Sequence, residues 1–206
     1  TINGNQKRVD KSLALELFGY DVEKEPQNTW SPEKLAVYLT RKFNFSKGSP
    51  LYQKIKLAPL YSELEDLVDK NQWLLSTAAM VEGIMSLISN NPQKDRDMLA
   101  MKKNSLWRDK TRKGLDNNGK PVLRYLYLGS KDDELYLILE KYFHSVKKIL
   151  WDNATENSVI LKTIGISVLF DILKNIIEKY DIQDSYDLYI NKIRDINYSS
   201  NYFALS

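Results

Sequence analysis

Two polar runs hold the residue types that could do chemistry. The first is Ile2-Asn3-Gly4-Asn5-Gln6-Lys7-Arg8-Val9-Asp10, which leads into an expected helix N-terminus. Free backbone N–H groups and the helix dipole favour anions there, and Lys7 and Arg8 would add positive charge. The functional reading is phosphate or nucleotide contact through Asn3, Asn5, Gln6, Lys7 and Arg8. The plainer reading, which physics alone favours, is a turn in which Asn and Gly take unusual dihedrals and Asp10 caps the helix.

The second run extends from Lys102 to Arg124. It sets Lys102, Lys103, Arg108, Lys110, Arg112, Lys113, Lys120 and Arg124 against Asp109 and Asp116, with Trp107 inside it. Clustered cations neutralise phosphates, and an indole can stack on a base or ribose. The nucleic-acid contacts expected here are Lys102, Lys103, Trp107, Arg108, Lys110, Arg112 and Lys113. The plainer and slightly favoured reading is a solvated surface loop with Trp107 packed on the body of the protein.

Other reactive groups are few. The chain has no cysteine and one histidine, His144, so thiolate and multi-histidine zinc sites are excluded. His144 has no carboxylate partner in sequence and reads as structural. Asp132-Asp133-Glu134 could suggest a metal, but at a helix start these residues complement the dipole. No P-loop, GxGxxG or Ser-His-Asp arrangement stands out, so no catalytic residue and no metal site are assigned.

The elements that must position these runs are mostly helical. Leu13, Ala14, Leu17 and Phe18 follow Asp10 at helical spacing and Gly19 stops that helix. Residues 20–30 read as a loop. Ser31-Pro32-Glu33 opens a second helix, with Ser as cap and Pro at the first helical position, and Leu35, Leu39, Lys42 and Phe43 mark its inner face. Ser62-Glu63-Leu64-Glu65 fits a capping box for a short segment through Val68. A helix from Ser76 or Thr77 carries Met80, Val81, Ile84, Met85, Leu87 and Ile88. Asn90-Asn91-Pro92 ends it and caps a short helix through Met98 and Met101. Gly114, Asn117, Asn118, Gly119 and Pro121 read as loop or hairpin, and Val122 to Leu128 as a strand. Ser130 is expected to cap a helix with Leu135, Ile138, Leu139, Tyr142, Phe143, Val146, Ile149 and Leu150 inward. A helix from about Ser158 to Tyr180, apolar nearly all round between 164 and 173, reads as central and buried, with Gly165 allowing a close neighbour. A last helix covers about Ser185 to Ile196.

The expected fold class is therefore mainly α, a multi-helix bundle with at most a small β element, forming a single helical domain over 1–206. Short connections make neighbouring helices antiparallel. The 206 residues are 43% hydrophobic and 28% charged, a globular balance, and the net charge of +3 does not by itself require a nucleic-acid partner. No apolar run suggests a membrane span. The absence of cysteine suits a reducing, cytoplasmic setting. The chain starts at Thr1, which reads as a cut within a longer protein, with a processed mature terminus as the alternative.

The run from Thr1 to Leu13 resembles the segment that follows the Asp-Gly-Gln-His-Arg signature in DGQHR-domain proteins, where an Ile-Asn-x-x-Gln turn leads into a helix. Ser49-Pro50-Leu51-Tyr52-Gln53-Lys54-Ile55-Lys56, Tyr142-Phe143 followed by Trp151, and Leu161-Lys162-Thr163-Ile164-Gly165-Ile166 also look similar, in order and spacing. That family is similar to ParB-like proteins and to the regulator associated with DNA phosphorothioation. The resemblance implies that residues 1–30 are the remnant of a ParB-like part, and that Asn5 and Arg8 match the Asn and Arg of its later nucleotide-binding box. Gly4 and Lys7 depart from that box, which has Glu and Gln there. No Asp-Gly-Gln-His-Arg sequence occurs in the chain.

The resulting expectation is a C-terminal, non-catalytic portion of a DGQHR-type protein linked to DNA modification or regulation. It needs no cofactor of its own, while the intact protein would take a nucleotide. DNA and proteins of a DNA-modification system are the expected partners, with no membrane. Two rivals stand beside it: a protein-interaction module that docks a partner or self-associates, and part of a nucleotide-hydrolysing ParB-like enzyme whose site is mostly upstream.

Overall fold

The computed structural model describes residues 25–56, 75–103, 110–117, 121–154 and 158–180, the side chains of residues 102 and 103 excepted. The expected helix after Asp10, the capping-box segment at 62–65, the Asn118-Gly119 turn and the helix at 185–196 lie outside the described residues. So do Asn3, Asn5, Gln6, Lys7, Arg8, Trp107 and Arg108. The described part is mainly α, with one minimal strand pair.

Helix α1 spans Pro32–Phe45 and starts as its sequence dictates. The Ser31 side chain accepts a hydrogen bond from the Lys34 N–H at 3.3 Å, and Pro32 occupies the first turn. Leu35, Leu39 and Phe43 are buried along it. Just before it, Trp30 is buried and its indole N–H donates to the Glu25 carbonyl at 3.0 Å. After it, Asn44 ties down the following turn. Its carbonyl accepts from the Gln53 N–H and its side-chain oxygen from the Ile55 N–H, both at 3.0 Å.

The β element is at Ile55–Lys56 (β1) and Leu75–Ser76 (β2), paired in parallel with Ile55 opposite Leu75. It is not at 122–128. Those residues instead contain a short helix, because Leu123, Leu126 and Tyr127 bury at helical spacing. The Leu123 N–H also donates to the Leu87 carbonyl at 2.8 Å. Burial on one helical side overrides the β preference of Val and Tyr.

Helix α2 (Thr77–Ile88) is the hub, packing on α1, on the short helix α4 (Arg124–Leu128) and on α6 (Thr163–Tyr180). Met80, Val81, Ile84, Leu87 and Ile88 are fully buried, and Glu82 is the single charged residue of the helix. Gly83 faces the Phe170 ring so closely that a Cβ would overlap it. Helix α3 (Pro92–Lys103) follows, with the Asn91 side chain accepting from the Lys94 N–H at 3.0 Å.

Helix α5 (Asp132–Ile149) buries Leu135, Ile138, Leu139, Tyr142, Phe143 and Val146, as the spacing predicts. Ser130 is not its cap. Ser130 sits at φ 54° in the turn after α4, and Lys131 takes the cap position with no side-chain bond. Phe143 is the aromatic centre of the core, with Phe43, Tyr142, Phe170 and Trp151 rings around it at 5.4–6.0 Å.

Helix α6 starts at Thr163 rather than Ser158, after a 3-10 turn at Val159–Leu161. It is one-sided, not buried all round. Ile166, Leu169, Phe170 and Leu173 face the core, whereas Ile164 is 62% exposed. The apolar run from 164 to 173 is interrupted by Ser167 and Asp171, which give the helix a solvent face. Gly165 does permit close approach, by the 159–161 turn: a Cβ there would lie 2.6 Å from the Ile160 carbonyl oxygen. The central position falls to α2.

Candidate functional site

Two arginines of the basic segment are buried. Arg112 lies in a 3-10 turn (Arg112–Gly114) and is fully buried. Its two terminal nitrogens donate to the two Asp132 oxygens at 2.9 and 2.8 Å. Its guanidinium also lies over the Tyr127 ring, 4.8 Å from the centroid. The Tyr127 hydroxyl donates to the Trp30 carbonyl at 2.9 Å, and burial pushes its pKa well above the ordinary phenol range. One turn of chain thus joins α4, α5 and the entry to α1.

Arg124, on α4, makes the second anchor. It donates to both Asp95 oxygens at 2.8 and 3.0 Å, to the Ile88 carbonyl at 3.1 Å and to the Asp116 carbonyl at 2.9 Å. The Ser89 hydroxyl adds a 2.6 Å bond to Asp95. The Asp95 hydrogen bond raises the Arg124 pKa, against desolvation. Physically this is a rivet. A guanidinium with five donors answers the orphan carbonyl at the end of α2, the acid in the first turn of α3 and the loop backbone at once. Beside it, Arg96 donates to Glu33 of α1 at 2.8 Å.

Asp132 therefore does more than complement a dipole, since it neutralises Arg112. Asp133 is exposed and reaches Lys42 at 3.3 Å, and Glu134 pairs with Lys131 at 3.0 Å. His144 is half-buried on α5. Among the described residues, no group of three or more His, Cys, Asp and Glu side chains is placed to hold a metal ion.

The expected phosphate contacts divide sharply. Arg112 is a correction: it is buried in an ion pair and presents no donor to an external phosphate. Lys110 and Lys113 are exposed on either side of it. Lys102 and Lys103 form the end of α3. The sequence reading missed Asp95 and Asp132 as counter-charges. They lie 29 and 20 residues from their arginines, so no local spacing reveals the pairs.

Among the described residues no helix is long and apolar enough to cross a membrane. The chain matches no protein-family profile, no curated protein and no solved structure.

Proposed function

We propose that this chain is a non-catalytic helical module of a DGQHR-type, DNA-modification-associated protein of the cytoplasm, and that it holds nucleic-acid backbone through residues 102–124. The family part of this reading rests on the sequence pieces quoted above. The contact part rests on one observation: the segment is riveted to the bundle by Arg112 and Arg124, while Lys110 and Lys113 stay exposed. Buried pairs consume the two arginines, so the residues proposed for phosphate contact reduce to Lys102, Lys103, Trp107, Arg108, Lys110 and Lys113. A nucleotide in the intact protein would be held elsewhere, by Asn5, Arg8 and the part of the site upstream.

The test is a salt titration of duplex DNA binding. Neutralising Lys110 and Lys113 with Gln should weaken affinity uniformly across sequences. It should reduce the salt dependence by about 0.9 in log–log slope for each phosphate that is no longer neutralised. Absent affinity, or a slope that ignores both substitutions, removes the reading.

A protein-docking module is favoured by a different surface. An open hollow of about 280 Å³ on α3 is lined by Asn91, Gln93, Lys94, Asp97, Met98 and Met101, and Met101 is 67% exposed. Exposed methionines adapt to apolar partners. Met101→Lys would abolish a self-association seen by sedimentation if this surface mediates it.

A further inference from the structure

The chain has no cysteine, so its four methionines hold all of its sulfur. Peroxides attack thiolates first and thioethers next, so a peroxide meeting this protein acts on methionine. The fold grades the four by access. Met80 is fully buried in the hub helix α2. Met85 and Met98 are half-buried and pack against the core. Met101, in the last turn of α3, is 67% exposed.

The helical period of α3 explains the difference. Asp95 and Leu99 are buried four residues apart, on the side that faces the bundle. Met101 follows Leu99 by two residues, about 200° further round the helix, which turns it to the solvent side. Met98 precedes Leu99 by one residue, at the boundary between the two sides, and lines the same open hollow as Met101. The ties between α3 and its neighbours are made at other positions. Asp95 holds Arg124, Arg96 holds Glu33, and Leu99 is part of the core. Nothing that fixes the helix therefore depends on the state of the Met101 sulfur.

We propose that Met101 is a reversible oxidation site, a redox-sensitive surface on a fold that oxidation there leaves intact. The thioether sulfur attacks one oxygen of hydrogen peroxide and the O–O bond breaks. The departing hydroxide takes the proton of the sulfur-bound hydroxyl and leaves as water. Sulfur gives up two electrons and peroxide accepts them. The product is the sulfoxide, which methionine sulfoxide reductases return to the thioether. Oxidation makes one apolar wall of the hollow polar, while the core sulfur of Met80 stays reduced. The site does not rest on the docking reading, since the sulfur is reactive whether or not a partner occupies the hollow.

The experiment exposes the full folded chain to dilute hydrogen peroxide. Peptide mass mapping follows the sulfoxide at each methionine, and thermal unfolding is recorded on the same samples. Met101 should oxidise first, close to the rate of methionine in an unstructured peptide. Met80 should be at least about a hundredfold slower, because its sulfur is reached only when the fold opens. With Met101 alone converted, Tm should stay within about 1 °C of the untreated protein. A methionine sulfoxide reductase with a thiol reductant should then restore the original mass. Met101→Leu should remove the fast phase and leave the slower ones. Oxidation of Met80, Met85 or Met98 as fast as Met101 overturns the proposal. So does a fall in Tm that tracks the Met101 sulfoxide, or a sulfoxide that the reductase does not reverse. If Met101→Leu does not fold, the mass map of the wild-type chain decides alone.

Discussion

Arg112 and Asp132 meet through two parallel hydrogen bonds of 2.9 and 2.8 Å, with the arginine side chain wholly shielded from water and the carboxylate almost so. The pair fixes the end of a basic segment to the first turn of α5. Such a pair is costly to break and much less costly to replace, because the penalty lies in the unmatched charge left behind. Arg112→Met should therefore lower unfolding stability by about 3–5 kcal/mol, and the double variant Arg112→Met with Asp132→Leu should recover most of it. Urea unfolding of the three proteins measures this. A single-variant loss under about 1 kcal/mol would mean the pair behaves as a solvated surface contact.

Arg124 spans more partners than a lysine can. A point-charge ammonium can satisfy Asp95 or the carbonyls of Ile88 and Asp116, not all three in one plane. Arg124→Lys is expected to cost about 2 kcal/mol, from hydrogen-bond acceptors left buried. Hydrogen exchange should quicken at the Leu123 amide, which is bonded to Leu87 across the same junction. Unchanged protection there would show that α4 is held without the rivet.

Gly83 is required by the hub packing. An added Cβ overlaps the Phe170 ring, so Gly83→Ala must push α2 and α6 apart or force Phe170 off its rotamer. The gain in helix propensity, about 1 kcal/mol, opposes this. A net loss of about 1–3 kcal/mol is expected, partly relieved by Phe170→Leu. Thermal unfolding of the single and double variants distinguishes this packing conflict from a general intolerance of substitution.

Alkaline pH should unfold the protein through its buried phenols. Burial raises Tyr136 to about 12, and raises Tyr127 and Tyr142 as well. Each holds its proton more tightly when folded, so stability is intact below the ordinary tyrosine value of about 10 and falls as pH rises from there. For Tyr136 the loss runs between about 10 and about 12. The tyrosinate absorbance of Tyr127 and Tyr142 should appear with loss of helical circular dichroism, not before it. Tyr142→Phe tests the companion bond, 2.7 Å to the Leu169 carbonyl, and should cost about 1 kcal/mol.

The legible parts of this fold were those governed by local rules. Ser31-Pro32 announces α1, and Asn91-Pro92 announces α3. The apolar spacing of Leu135 to Val146 names the buried side of α5. Local reasoning failed where burial is set by distant partners. Val122 to Leu128 has strand-like residues, yet its docking on α2 selects helical spacing. Ile164 is apolar enough for a core and faces water instead. The candidate site divided in the same way. A count of charges identifies 102–124 as basic, but cannot tell Lys113, which faces solvent, from Arg112 beside it, which does not.

The sequence by itself determined that this protein is helical, which sides of its longer helices are apolar, and where its cations concentrate, because hydrophobic period, capping and composition act over a few residues. Only the tertiary structure decided which helix is the hub and which arginines are internal, with carboxylates 20 and 29 residues away as partners. Those outcomes depend on which surfaces meet, and a buried charge can exist only where the folded chain brings its opposite within hydrogen-bonding distance.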